Sequence, residues 1–78
     1  MAHHDYYVVH HQGEWKISYQ QKHYGPYNTQ RDAYRVAVDT AKKAGDGGDT
    51  AQVHIQRKDN NQFRTEWTYG KDPYPPPG

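Results

Sequence analysis

The chain has 78 residues, enough for one small domain with a modest core. Ten basic and nine acidic residues leave a net charge of +1, too weak to imply nucleic acid from electrostatics alone. Cysteine is absent, which excludes disulfides and thiolate metal sites.

Only 32% of residues are hydrophobic and mean hydropathy is −1.40, yet aromatics reach 14%, mostly through eight tyrosines. Large amphipathic rings build a core from few residues while keeping a polar edge in water, so disorder is the wrong expectation. A core this thin would gain from self-association. No apolar run approaches the ~20 residues of a membrane span, and no secretory apolar segment follows Met1. The expected location is cytoplasmic.

In chain order, residues 1–4 read as a disordered N-terminus, 5–68 as a single domain, and 69–78 as a proline-rich tail. Tyr6-Tyr7-Val8-Val9 is strand-forming, Gln12-Gly13 is a turn, and Trp15 to Tyr19 alternates. A two-residue loop pairs His11 with Glu14, His10 with Trp15, Val8 with Ile17 and Tyr6 with Tyr19. The core face is then Tyr6, Val8, Trp15, Ile17 and Tyr19, with Tyr7, Val9, Lys16 and Ser18 behind it.

Gln20 to Tyr27, which contains Gly25-Pro26, reads as a loop. A helix follows, capped by Thr29 with Asp32 at the third helical position. Ala33, Val36, Ala37, Thr40, Ala41 and Ala44 form its buried stripe. Arg31, Arg35, Asp39, Lys42 and Lys43 form the opposite, solvated face, where Asp39 can meet Arg35 and Lys43. Gly45 is the expected C-cap, and Asp46-Gly47-Gly48-Asp49 a connector.

A second hairpin places Val53, Ile55 and Arg57 on one face and Gln52, His54 and Gln56 on the other. A turn at Asp59-Asn60-Asn61 leads to Phe63, Thr65 and Trp67 on the inner face, with Arg64 and Glu66 outward. The sum is an α+β class, β-β-α-β-β two-layer domain, one helix packed on one face of a small, mainly antiparallel sheet. The face away from the helix should show Tyr7, Val9, Lys16, Ser18, Gln52, His54, Gln56 and Arg64. Such a surface is a ligand platform or an oligomer interface.

Tyr6-Tyr7-Val8-Val9, Gly13-Glu14-Trp15-Lys16-Ile17, Thr29-Gln30-Arg31-Asp32-Ala33 with Ala37 and Ala41, and Tyr69-Gly70-Lys71-Asp72-Pro73-Tyr74-Pro75 together resemble one bacterial family. It is the domain-of-unknown-function family numbered 2188. The resemblance runs from about Asp5 to Pro76, and the tail is its most specific element. His10 stands where a proline is common in that family, and Trp67 where a charged residue often stands. The resemblance implies an accessory or binding role and supplies no reaction, cofactor or catalytic residue.

Chemistry-bearing clusters are sparse. His3-His4 and His10-His11 are adjacent residues that point to opposite faces of a strand, so neither pair chelates a metal. Ser18 is the lone serine, and Asp46 to Asp49 lacks the ligand spacing of a calcium loop. The chain therefore reads as non-enzymatic, without metal or cofactor. Its expected role is protein contact or self-association, as a homo-oligomer such as a dimer, through the helix-free sheet face. The alternative is nucleic-acid binding on that face by Tyr7, Lys16, His54 and Arg64, with Lys22, Arg57 and Lys58 at the rim. Tyr69 and Tyr74 are expected to fold back beside Trp67 or Trp15 and close the core; the alternative is a tail that serves as a polyproline ligand through Pro75-Pro76-Pro77.

Overall fold

Alternating strands and one small-residue helix stripe account for most of the architecture. The computed structural model describes residues 2–57, 59 and 62–75. The elements are β1 (His3–His11), β2 (Glu14–Tyr19), β3 (Lys22–Tyr27), α1 (Gln30–Asp46), β4 (Thr50–Gln56) and β5 (Phe63–Thr68). The five strands form one sheet in the order β3-β2-β1-β4-β5. α1 covers one face, so the domain is a two-layer α+β fold with one strand more than expected.

The first hairpin has the register read from the sequence: His11 opposite Glu14, His10 opposite Trp15 and Val8 opposite Ile17. Gln12 and Gly13 both take positive φ, 51° and 79°, as the tight turn requires. Tyr6, Val8, Trp15 and Ile17 are buried, and Tyr19 packs against them.

The expected loop after Tyr19 is instead the strand β3. Tyr19 pairs with Lys22 across Gln20 and Gln21, whose φ values of 49° and 65° are left-handed. The same turn geometry is made here without glycine, so the usual hairpin signature is missing. Pro26 is compatible with a strand because β3 is an edge of the sheet, where a missing N–H interrupts no ladder on the solvent side.

The N-terminus also departs from expectation. His3 and His4 are strand residues rather than a disordered end, because β1 runs parallel to β4 beyond the reach of β2, pairing His3 with Thr50 and His4 with Ala51. Their imidazoles find partners there. His3 Nδ1 lies 2.6 Å from the Thr50 hydroxyl, and His4 Nε2 lies 2.8 Å from an Asp49 carboxylate oxygen.

Parallel pairing of β1 and β4 needs a crossover, and α1 supplies it. Thr29 caps the helix as expected, its hydroxyl accepting from the Asp32 N–H at 3.1 Å. The buried stripe is Ala33, Ala37, Val38, Ala41 and Gly45. Val36 and Thr40, assigned to the stripe, are exposed, and Val38 takes their place. The helix is rotated because it lies chiefly over β4 and β1, turning its Val38 side to the sheet. Ala33, Ala37 and Ala41 are fully buried, and their small side chains bring the helix backbone close to the sheet. Asp39, expected among Arg35 and Lys43, accepts the Tyr74 hydroxyl at 2.5 Å.

The expected C-cap, Gly45, is helical and buried. Gly47 caps instead, its N–H reaching the Lys43 and Ala44 carbonyls at 3.2 Å each. Gly45 has another use: a Cβ built there would lie 2.3 Å from the Tyr69 ring. Glycine makes a slot in the helix, and Tyr69 fills it.

Asn60 and Asn61 of the expected second turn lie outside the described residues, as do Lys58 and the last three residues of the tail. Across that hairpin, Trp67 pairs with Val53, but Thr65 pairs with His54 and Phe63 with Gln56. One extra residue, Glu66, bulges between the two ladder segments. The bulge reverses the alternation, so Trp67 alone of the three expected inner residues is buried, at 2% exposure. Phe63 and Thr65 fall on the outer face.

The tail packs on the domain. Tyr69 meets Trp67 edge-to-face with centroids 6.2 Å apart, and its hydroxyl donates to Asp46 at 2.7 Å. The Trp67 indole N–H donates to the Pro73 carbonyl at 3.0 Å, and the Asp72 carboxylate accepts the Thr68 N–H at 2.8 Å. Tyr74 goes to α1 rather than to a tryptophan, with the Lys42 ammonium 5.1 Å from its ring centre.

Candidate binding face

On β1 the residues between the buried Tyr6 and Val8 point away from α1. Tyr7 and Val9 are half-buried there, opposite Ser18 and Lys16 of β2. On β4, Gln52 and His54 alternate with buried Ala51 and Val53 and share the same face. Six of the eight expected residues, Tyr7, Val9, Lys16, Ser18, Gln52 and His54, are thus brought together. Gln56 sits at the end of the ladder opposite Phe63 and accepts the His10 N–H at 3.0 Å.

Arg64 is not on this face. It pairs with Ile55, whose side chain points toward the helix, and the bulge carries Glu66 to that side too. Both line a cleft of about 480 Å³ with Arg31 and Tyr34, the Arg64 Nε lying 3.2 Å from Glu66. The expected register holds at Trp67 opposite Val53, and on the other side of the bulge it is shifted by one residue, which puts Arg64 opposite Ile55. Burial raises the Tyr34 hydroxyl above its ordinary value, helped by the nearby Glu66 and Asp72 carboxylates.

The centre of the face is an aromatic and imidazole cluster. The His54 ring stacks on Tyr7 at 4.9 Å, and Phe63 meets Tyr7 edge-on at 5.1 Å. His54 is fixed at both nitrogens: Nδ1 is 2.9 Å from the Thr65 hydroxyl and Nε2 is 2.9 Å from Asp5 Oδ1. The same carboxylate oxygen meets His3 Nε2 at 3.0 Å. Burial alone would raise the Asp5 carboxyl, but hydrogen bonds from His54 and His3 outweigh it and hold the carboxyl below its ordinary value.

Sequence reasoning missed Phe63 and Thr65 because the bulge has no composition signal. It also passed over Asp5 and His3, although their odd positions on β1 share the parity of Tyr7. Among the described residues, no group of three or more histidines and carboxylates is arranged to hold a metal. The cluster is a rigid, mixed surface of ring faces, two imidazoles and one carboxylate. It offers contact area and hydrogen-bonding groups.

These features define a small α+β domain with one sheet face under a helix and the other free of it. The chain belongs to DUF2188, a family of uncharacterised proteins conserved in bacteria, whose model matches residues 6–69. No curated protein and no solved structure matches it. No helix among the described residues is long and apolar enough to cross a membrane.

Proposed function

We propose that this protein is a non-enzymatic cytoplasmic binding module that acts by protein contact on its helix-free sheet face, with a second copy of itself as the first partner. One observation carries the reading. Phe63, Tyr7 and His54 form a preordered cluster across β5, β1 and β4, and no element of the described chain covers it. Rigid aromatic rings lose little conformational entropy on contact and are enriched at interface centres.

The edges support a face rather than an edge contact. β3 carries Gly25 and Pro26, and β5 carries a bulge with Arg64 and Glu66. These are features that discourage strand addition. Light scattering across a dilution series tests the proposal. A dimer that dissociates on dilution, and that Phe63→Glu converts to monomer without unfolding, is expected. Wild-type protein that stays monomeric at high concentration refutes self-association.

The stacked Tyr7 and His54 beside Lys16 favour a second reading, single-stranded nucleic acid laid on the face. That reading has lost Arg64, and Asp5 places a carboxylate among the rings. Steeply salt-dependent retention on a mixed DNA and RNA column is its expected mark, and flow-through at low salt sinks it.

A further inference from the structure

The helix side of the sheet holds a second, unrelated feature. A cleft of about 290 Å³ opens between α1 and the β2-β3 hairpin, lined by Tyr6, Ile17, Tyr19, Tyr24, Tyr27, Val36 and Thr40. Four of its seven residues are tyrosines. Tyr6 is buried and stacks on Tyr19 with centroids 4.4 Å apart and planes 16° from parallel. Tyr24, from the edge strand, is 47% exposed.

The chain departs from regular geometry to bring these rings together. Tyr24 and Tyr27 differ in parity and in a plain strand would face opposite sides. Here Tyr24 pairs with Ile17 and Tyr27 with Trp15, so three steps along β3 match two along β2. The irregularity turns both rings toward α1. Gly25 makes it at φ 126°, where a Cβ would lie 3.1 Å from the Tyr27 ring and 3.3 Å from the Trp15 carbonyl.

The chemistry of the lining selects the occupant. Phenol faces are electron-rich and attract cations, and among the described residues no charged side chain lines the cleft. Two of the lining hydroxyls have protein partners: the Tyr19 hydroxyl meets His4 Nδ1, and the Thr40 hydroxyl donates to the Val36 carbonyl at 2.9 Å. A bare ammonium entering here would exchange strong hydration for at most a few hydroxyl oxygens. An alkylated ammonium has fewer hydrogen bonds to lose and methyl groups to place against Ile17 and Val36. Tyr6 keeps its proton to high pH, pushed up to about 12 by burial and by Tyr19.

We propose that this cleft binds quaternary or highly methylated ammonium groups by cation–π contact. The test is titration of the full chain with choline chloride, followed by NMR of the tyrosine ring protons. A parallel titration uses 3,3-dimethylbutan-1-ol, the same shape without the charge. Saturable shifts confined to the cleft tyrosines are expected with choline, with the neutral alcohol about tenfold weaker. Tyr24→Phe should keep binding, because it retains the ring face. Tyr24→Leu, exposed enough to fold normally, should lose most of it. Equal affinity for choline and the alcohol overturns the proposal, as does full binding by Tyr24→Leu or the absence of saturable shifts.

Discussion

Replacing Gly45 by alanine should destabilise this protein, the reverse of what helix propensity predicts. Glycine inside a helix costs about 0.5–1 kcal/mol relative to alanine, so the substitution is ordinarily a gain. At position 45 the new methyl would lie 2.3 Å from both Cγ and Cδ2 of Tyr69. Cγ is the base of the ring, so rotation about the ring axis cannot relieve the clash. The ring must leave its slot, giving up its edge contact with Trp67 and its hydrogen bond to Asp46. Overpacking of this kind costs about 1–3 kcal/mol. Set against the propensity gain, a net loss of up to about 2.5 kcal/mol remains. For a domain of this size that lowers Tm by up to roughly 20 °C. Thermal unfolding followed by circular dichroism measures it. The decisive arm is the same change in a Tyr69→Ala background, where the slot is empty and Gly45→Ala should raise Tm. A rise in Tm in the wild-type background would refute the account of Gly45 as the seat of Tyr69.

Deleting residues 70–78 while keeping Tyr69 removes the Pro73 carbonyl that accepts from Trp67 and the Tyr74 contact with α1, and should lower Tm. An unchanged melt would mean that these contacts add nothing to the fold. Gln21→Gly should raise stability by up to about 1 kcal/mol, since the left-handed residue at φ 65° loses its steric penalty; a lower Tm in the melt would contradict the β2-β3 turn. At acid pH the depressed carboxyls of Asp5, Asp46 and Asp49 all matter. Hydrogen bonds from Lys42 and Tyr69 hold the Asp46 carboxyl, and from His4 and the Ala2 N–H the Asp49 carboxyl, below the ordinary 3.8. A depressed carboxyl stabilises the fold above its unfolded value and loses that contribution as pH falls through the folded one. Stability should therefore drop as pH falls below about 3.8, less steeply in Asp49→Asn, as read by denaturant titration across pH. At alkaline pH the sign reverses. Tyr6 is raised from 10.0 to about 12, so its contribution is complete below 10.0 and lost through about 12. Tyr6→Phe should flatten that alkaline decline, and an unaltered slope would speak against Tyr6 as its source.

The residues themselves determined the first hairpin, the capped helix and the α+β class. Tyr6, Val8, Trp15 and Ile17 alternate around a Gln-Gly turn, and Thr29 and Asp32 mark a helix start, because each signal is local and depends only on near neighbours. Most of the candidate face was legible for the same reason, from Tyr7 and Val9 to Gln52 and His54. What depended on distant contacts was not. β3 was hidden because Gln20 and Gln21 hold left-handed φ under the pull of pairing across the sheet. His3 and His4 became strand residues only because β4, some fifty positions on, lies beside them. The bulge at Glu66 moved Arg64 off the face and brought Phe63 onto it, and Gly45 proved to be a seat rather than a cap. A strand's parity, a helix's rotation and a glycine's purpose are set by what packs against them, and that partner is settled only when the chain closes on itself.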